Sequence, residues 1–206
     1  MTLSQTLVSL SDEARRCRRC PGMRAGSSVL GQANGPVSAA VMFVAEAPGY
    51  LGAVRSGVPL RGDRSGDNFE RYCGLAGIDR AAVFVTNAVL CHPPGPRGAN
   101  RTPRKEEVAA CSRFLRRQIV LVDPSLVVAL GRVALDALGR IESHGLRFGV
   151  DTGRIEPWGD RHIVSLYHPS GQTMGRRSRA QQDADYGAVA AWLAQRCGPA
   201  LEPQSM

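Results

Sequence analysis

Three stretches of this chain stay apolar for longer than a half-buried strand would allow: VSAAVMFVAEAP (37–48), AAVFVTNAVL (81–90) and SLVVALG (125–131). A strand with one face in water alternates apolar and polar residues. A continuous run bounded by Pro, Gly or Asp fits a parallel strand covered on both faces. A fourth run, HIVSLYHP (162–169), is more mixed. Helical patterns lie between and beyond these runs. SGDNFERYCGLAGI starts on a serine, TPRKEEVAACSRFLRRQIVLV opens with Thr-Pro and early glutamates, and GRVALDALGR and RAQQDADYGAVAAWLAQRC complete the set. Strand and helix in alternation predict an α/β fold, a three-layer α/β/α sandwich around a central four-stranded parallel sheet. In such sheets ligands gather where loops leave the carboxyl ends of the strands. Three of the runs end in polar groups followed by Pro or Gly: AEAPGY, TNAVLCHPPG and YHPSG. The remaining end, ALGR, is plain.

The chain of 206 residues is read as one domain, 1–206, with an N-terminal helix and a CxxC segment over 1–30 and a tail from about 197. No apolar run approaches the roughly 20 residues that span a bilayer, and the N-terminus has no basic leader before an apolar block. A cytoplasmic protein without a membrane partner, and a monomer, is therefore expected. Basic residues exceed acidic ones, 26 against 18, and Lys105 is the lone lysine. Guanidinium groups fork onto phosphate oxygens, so nucleic acid is a fair partner, although an arginine-rich solvated surface would give the same composition.

Six cysteines in a cytoplasmic protein are better read as metal ligands, reactive groups or inert core residues than as disulfides. Cys17 and Cys20 form CRRC, a spacing that can present both sulfurs to one metal. Cys91 and Cys111 are separated by 19 residues, too far for a second zinc-ribbon pair, and suit an iron–sulfur cluster at least as well as zinc. Spacing alone does not bring these two to the first pair. Cys73 and Cys197 fall in helical patterns and read as small buried hydrophobes.

Five features in chain order, CRRC, VAEAPG, LRGDRSGD, TNAVLCHPPG…RTPRKEEVAAC and YHPSGQT, run from Cys17 to about Arg179. Together they resemble the uracil-DNA glycosylase superfamily, in particular its iron–sulfur branches, the fourth and fifth families. GDRSGD and HPSGQT are more similar to the fifth, EAPG and TNAV.C.PPG to the fourth. The resemblance implies a [4Fe–4S] cluster on Cys17, Cys20, Cys91 and Cys111. It also implies hydrolysis of the bond between deoxyribose and a deaminated base, uracil above all, in DNA.

That chemistry assigns roles. A base must be extruded from the duplex, at a cost of a few kcal/mol, and the gap propped. Ser170 and Gly171, with Pro169, would press on the DNA backbone, Met174 would be an apolar wedge, and Arg176, Arg177 and Arg179 would hold phosphates. A methionine covering a core gap and a solvated helix start are the structural readings of the same residues. Negative charge builds on the departing base, so a donor at its carbonyl gains strength along the reaction; His168 would supply that N–H to uracil O2. A carboxylate must hold a water and offset charge on the sugar. Asp63 is the first choice and Glu46 the second, while Asp67 reads as a helix cap or first-turn acid. Asn87 would read the Watson–Crick edge, accepting from N3–H and donating to O4, a pattern cytosine reverses.

Departures from the family pattern mark the base pocket. Leu60 stands where many relatives place a stacking aromatic, so Tyr50 or another ring would have to replace it. Gly49, after Ala47 and Pro48, stands where strict uracil enzymes carry a tyrosine that excludes thymine; an open pocket there would admit hypoxanthine or ethenocytosine. No lysine stands at a site motif to form a Schiff base, so a monofunctional enzyme is expected. The competing readings are a non-catalytic damaged-DNA-binding protein of the same fold, and a redox-sensing or zinc-stabilised nucleic-acid protein.

Overall fold

The computed structural model describes residues 2–197, leaving aside the side chains of Arg97 and Cys197. The rest of the expected C-terminal tail lies outside the described residues. The chain runs α1 (Leu3–Arg16), β1 (Val41–Ala45), α2 (Arg64–Leu75), β2 (Phe84–Asn87), α3 (Lys105–Val122), β3 (Leu126–Leu130), α4 (Arg132–Gly139), β4 (Ile155–Trp158), β5 (Arg161–Leu166) and α5 (Arg179–Cys197). The strands form one sheet in the order β2-β1-β3-β5-β4.

The uninterrupted apolar runs are explained by this sheet. Every residue of β1, β2 and β3 is buried. Successive side chains of a strand point to opposite faces, so each run feeds two cores. Met42, Val44, Val127 and Ala129 join the cluster made with α1, α3 and α4. Val41, Phe43, Ala45, Leu126, Val128 and Leu130 join the cluster made with α2 and α5 around Phe69, Tyr72 and Tyr186. The helices bury matching stripes. In α1, Leu7, Leu10 and Ala14 fall at helical spacing, and Thr2 and Gln5 close a reciprocal capping box at 3.2 and 2.8 Å.

The three-layer α/β/α arrangement is as expected, and β1, β2, β3 and β5 pair in parallel. The sheet nevertheless has a fifth strand. β4 runs antiparallel on the edge beside β5, joined to it through Gly159 and Asp160, with Trp158 opposite Arg161. Gly159 has φ +59°, and a Cβ there would stand 2.6 Å from the Glu142 carboxylate, so the hairpin needs glycine. The sequence hides β4 because Glu156 and Pro157 interrupt its pattern; an edge strand tolerates both.

Helix starts shift slightly from their sequence positions. The cap of α2 is Asp63, whose carboxylate accepts from the Gly66 N–H at 3.0 Å, while Asp67 sits in the first turn. α3 begins at Lys105, and its Glu107 folds back to accept from the Arg104 N–H at 2.7 Å and from both terminal nitrogens of Arg101 at 2.7 Å. That forked pair pins the Pro/Gly-rich loop over residues 92–103 to the helix.

Among the described residues no helix is long and apolar enough to cross a membrane.

Candidate active site

The chain leaves β1 towards β2 on one side and later places β3 on the other, so the loops part above β1 and β3. At such a switch point the carboxyl ends of the strands border a crevice. A cavity of about 710 Å³ opens there. Its walls include Glu46 and Ala47 directly after β1, Gly131 and Arg132 directly after β3, and His168 two residues after β5. Gly131 takes φ +97°, which lets its N–H donate to the Leu166 carbonyl at 2.8 Å and ties the ends of β3 and β5 together. The pinned loop contributes Asn100 and Thr102, and the turn after His168 contributes Ser170 and Gly171.

His168 is half-buried in this wall. Thr173 fixes its backbone, the hydroxyl donating to the His168 carbonyl at 2.8 Å. Burial pushes the ring's pKa down to about 4, and the Asp63 carboxylate opposes that shift without cancelling it. At neutral pH the ring is therefore an uncharged imidazole with one N–H to give. Burial raises the Glu46 carboxyl above its ordinary value, with a hydrogen bond from Thr102 acting the other way. The site thus sets an uncharged donor and a carboxyl group of raised proton affinity on one recess.

Asp63 lies beside the recess, at the start of α2, between Arg64 and Ser65 on the wall and the glycines after β1. One carboxylate oxygen caps the helix; the other faces Gly49 and Gly52. A Cβ on Gly52 would stand 2.3 Å from Asp63 Oδ2 and 3.0 Å from the Arg61 carbonyl oxygen. Gly52 sits in a π-helical turn over Tyr50–Val54, a local distortion frequent at functional sites. Gly52→Ala is accordingly expected to displace the carboxylate and to lower stability by about 1–3 kcal/mol, the usual effect of overpacking. Chemical denaturation checks the second effect, and an unchanged transition midpoint would contradict this account of the glycine.

The other expected residues have varied placements. Asn87 ends β2, paired in register with Ala45, and is 3% exposed; its amide nitrogen has no hydrogen-bond partner. It is not among the residues that line the cavity. Gly49 faces the Asp63 carboxylate at 3.1 Å and the Asn100 amide nitrogen at 3.2 Å from its would-be Cβ, so the space beside it is occupied by polar groups. Tyr50 lies under the Arg24 guanidinium, 4.3 Å from its ring centroid, with the His92 ring 5.6 Å away. Leu60, at φ +51°, packs on the core around Phe69 and Tyr186. Met174 packs on that same core, its sulfur 4.0 Å from the Tyr72 hydroxyl and 3.7 Å from the Gln182 amide nitrogen. Arg177 is engaged by the buried Asp185, whereas Arg176 and Arg179 are exposed.

Sequence reasoning missed Arg64, Arg132, Phe148, Asn100 and Thr102 on the cavity wall. Arg64 and Arg132 carried the one available signal, since each opens a helix directly after a strand-end or capping residue. Phe148 stands in the segment between α4 and β4 and carried no signal.

The cysteines correct a further expectation. Cys17, Cys20, Cys91 and Cys111 line one cavity of about 340 Å³ between the N-terminal segment, the end of β2 and α3. Yet among the described residues no three His, Cys, Asp or Glu side chains form a group that could hold a metal ion. Burial, with the neighbouring cysteines, pushes the Cys91 thiol up to about 11 and the Cys111 thiol up to about 12. Cys111 accepts from the Leu90 N–H at 3.4 Å and Cys17 from Arg113 at 3.6 Å. The donor set does not fit the [4Fe–4S] cluster, and with it goes the assignment to an iron–sulfur branch. Cys73 is the buried hydrophobe expected, 1% exposed and with its thiol pushed up to about 12.

Fold and site define an α/β/α sandwich with a polar recess at the carboxyl ends of its parallel strands. The family model described as the uracil DNA glycosylase superfamily matches residues 32–193, from the loop before β1 into α5. The chain belongs to that superfamily. It is 32% identical to a type-4 uracil-DNA glycosylase of Thermotoga maritima, over 82% of this chain and 84% of the relative. To a type-4 uracil-DNA glycosylase of Saccharolobus solfataricus it is 30% identical, over 87% and 83%. To a type-5 uracil-DNA glycosylase of Thermus thermophilus it is 32% identical, over 70% and 72%.

Proposed function

We propose that this chain, acting as a single domain over 1–206, hydrolyses the N-glycosidic bond of uracil in DNA after flipping the nucleotide out of the helix. The observation that carries this reading is the shared recess of Glu46 and His168, with the free oxygen of Asp63 directed to the glycines beside it. Cleavage of such a bond passes through an oxocarbenium-like state, with positive charge on the sugar and negative charge on the base. His168, a neutral imidazole at neutral pH, donates its one N–H to uracil O2 as charge collects there. Asp63 orients the attacking water and faces the cationic sugar, with Glu46 as the second carboxyl group in reach. The unpartnered amide of Asn87 suits a uracil O4, an acceptor that cytosine lacks.

Around this centre Ala47, Gly49 and Tyr50 bound the base pocket, Ser170 and Gly171 press on the backbone, and Arg176 and Arg179 meet phosphates; Leu60, packed on the core, and Arg177, held by Asp185, take neither role. Met174 serves as the wedge once it leaves its place beside Tyr72. Hypoxanthine and ethenocytosine are further substrates in this reading, entering once the Asn100 amide beside Gly49 gives way.

The test is direct. Purified protein is incubated with an oligonucleotide carrying labelled uracil, and free base is separated from DNA. Release of uracil without strand cleavage is expected. Tight binding to damaged DNA with every glycosidic bond intact would replace this reading with that of a non-catalytic damage-binding protein.

A further inference from the structure

The cavity is larger than one pyrimidine needs: about 710 Å³, within the range of roughly 300–1,000 Å³ that holds drug-sized ligands. Glu46 and His168 account for one part of it. Another part of the wall is made by Arg132 and Phe148. Phe148 is half-buried and packed against the core around α4; the Tyr167 ring supports it at 4.9 Å, tilted by 49°. The Arg132 guanidinium stands over the Phe148 ring, 5.2 Å from its centroid. Arg132 is exposed and takes part in none of the ion pairs found among the described residues.

We infer that Phe148 and Arg132 form a second nucleotide subsite, a shelf for the unstacked base next to the one being excised. The inference rests on the function just proposed for this cavity. A guanidinium and a nucleobase are both flat and both stack on an aromatic face, so Arg132 now holds the place that a neighbouring base would take. Binding sets the base on Phe148 and shifts the guanidinium onto the adjoining phosphate. No hydrogen-bond pattern specific to one base is built around the ring, so the shelf takes any base. Two unstacked nucleotides side by side are what a single strand offers at little cost, and a duplex only after further melting. The shelf therefore favours single-stranded or locally opened DNA.

The probe is a short single-stranded oligonucleotide with one 2′-fluorinated deoxyuridine, whose glycosidic bond resists hydrolysis. A second oligonucleotide replaces the flanking nucleotides by abasic spacers, keeping the phosphates. Wild-type protein is expected to bind the base-bearing probe about tenfold more tightly than the spacer probe, in keeping with one base stacked on an aromatic ring. Phe148→Leu keeps the apolar contact with the core and should lose that preference, whereas Phe148→Trp should keep it. Arg132→Gln should bind both probes more weakly and lower the salt dependence by about one phosphate contact. An equal preference in Phe148→Leu and wild type would overturn the shelf even if uracil is released normally. A preference that depends on Phe148 in a protein releasing no base would uphold the shelf and remove the glycosylase reading.

Discussion

Replacing His168 by alanine lowers kcat for uracil release by about 10²- to 10³-fold, with DNA affinity changed little. The size is that of losing one preorganised donor aimed at developing negative charge. Affinity survives because the hydrogen bond gains its strength after the ground state, as the base becomes an anion. The ring's pKa of about 4 adds a signature in pH. Because the ring is already neutral at pH 5, the rate should not fall on its account between pH 8 and pH 5. Stability should respond in that region. The unfolded chain protonates this histidine near pH 6.5, whereas the folded chain resists until about pH 4. The unfolded state then binds more protons throughout the window, so stability is complete above 6.5 and declines as the pH falls towards 4. The contribution is on the order of 3 kcal/mol over that interval. Denaturant unfolding of wild type and of His168→Asn at several pH values measures it; parallel curves would show that the ring is not held neutral.

Asp63→Asn should lower kcat by about 10²- to 10⁴-fold, the range for losing a positioned acid–base group, while leaving the protein as stable as before. The two outcomes separate because Asp63 has two duties on two oxygens. Asparagine caps a helix as well as aspartate does, so the bond to the Gly66 N–H survives the exchange. What disappears is the negative charge on the oxygen facing Gly49 and Gly52. Steady-state kinetics on a uracil oligonucleotide, with a thermal melt of the same samples, gives both readouts. Should Glu46→Gln be the more damaging change and Asp63→Asn nearly silent, the two carboxyl groups would exchange roles.

β1 and β3 could be read from the sequence because burial on both faces leaves a mark independent of partner: nothing polar from Val41 to Ala45, nor from Leu126 to Leu130, whereas β2 ends on Thr86 and Asn87 and β5 opens on Arg161 and His162, a fainter form of the same mark. β4 left no such mark, lying at an edge with one residue of four buried. The strand-end rule found Glu46 and His168 by the polar groups that follow their strands. The same rule passed over ALGR, because glycine and arginine look ordinary there; yet the switch point makes Gly131 and Arg132 part of the wall. Phe148 and Asn100 were beyond reach for another reason. Each belongs to a connecting segment, and only the closed fold brings those segments to the recess. The cysteines show the converse limit: spacing did not bring the four together, and only the family resemblance implied a common site; they do line one cavity, but sharing a cavity differs from presenting sulfurs to a common ion.

The edge hairpin has a consequence for how this molecule meets its own copies. A border strand with free N–H and C=O groups is a template on which another sheet can grow. Here one border carries Pro157, which has no N–H to offer, and the other is β2, four residues long. Neither margin gives a neighbour much to zip onto, so the layered core ends with the chain that built it.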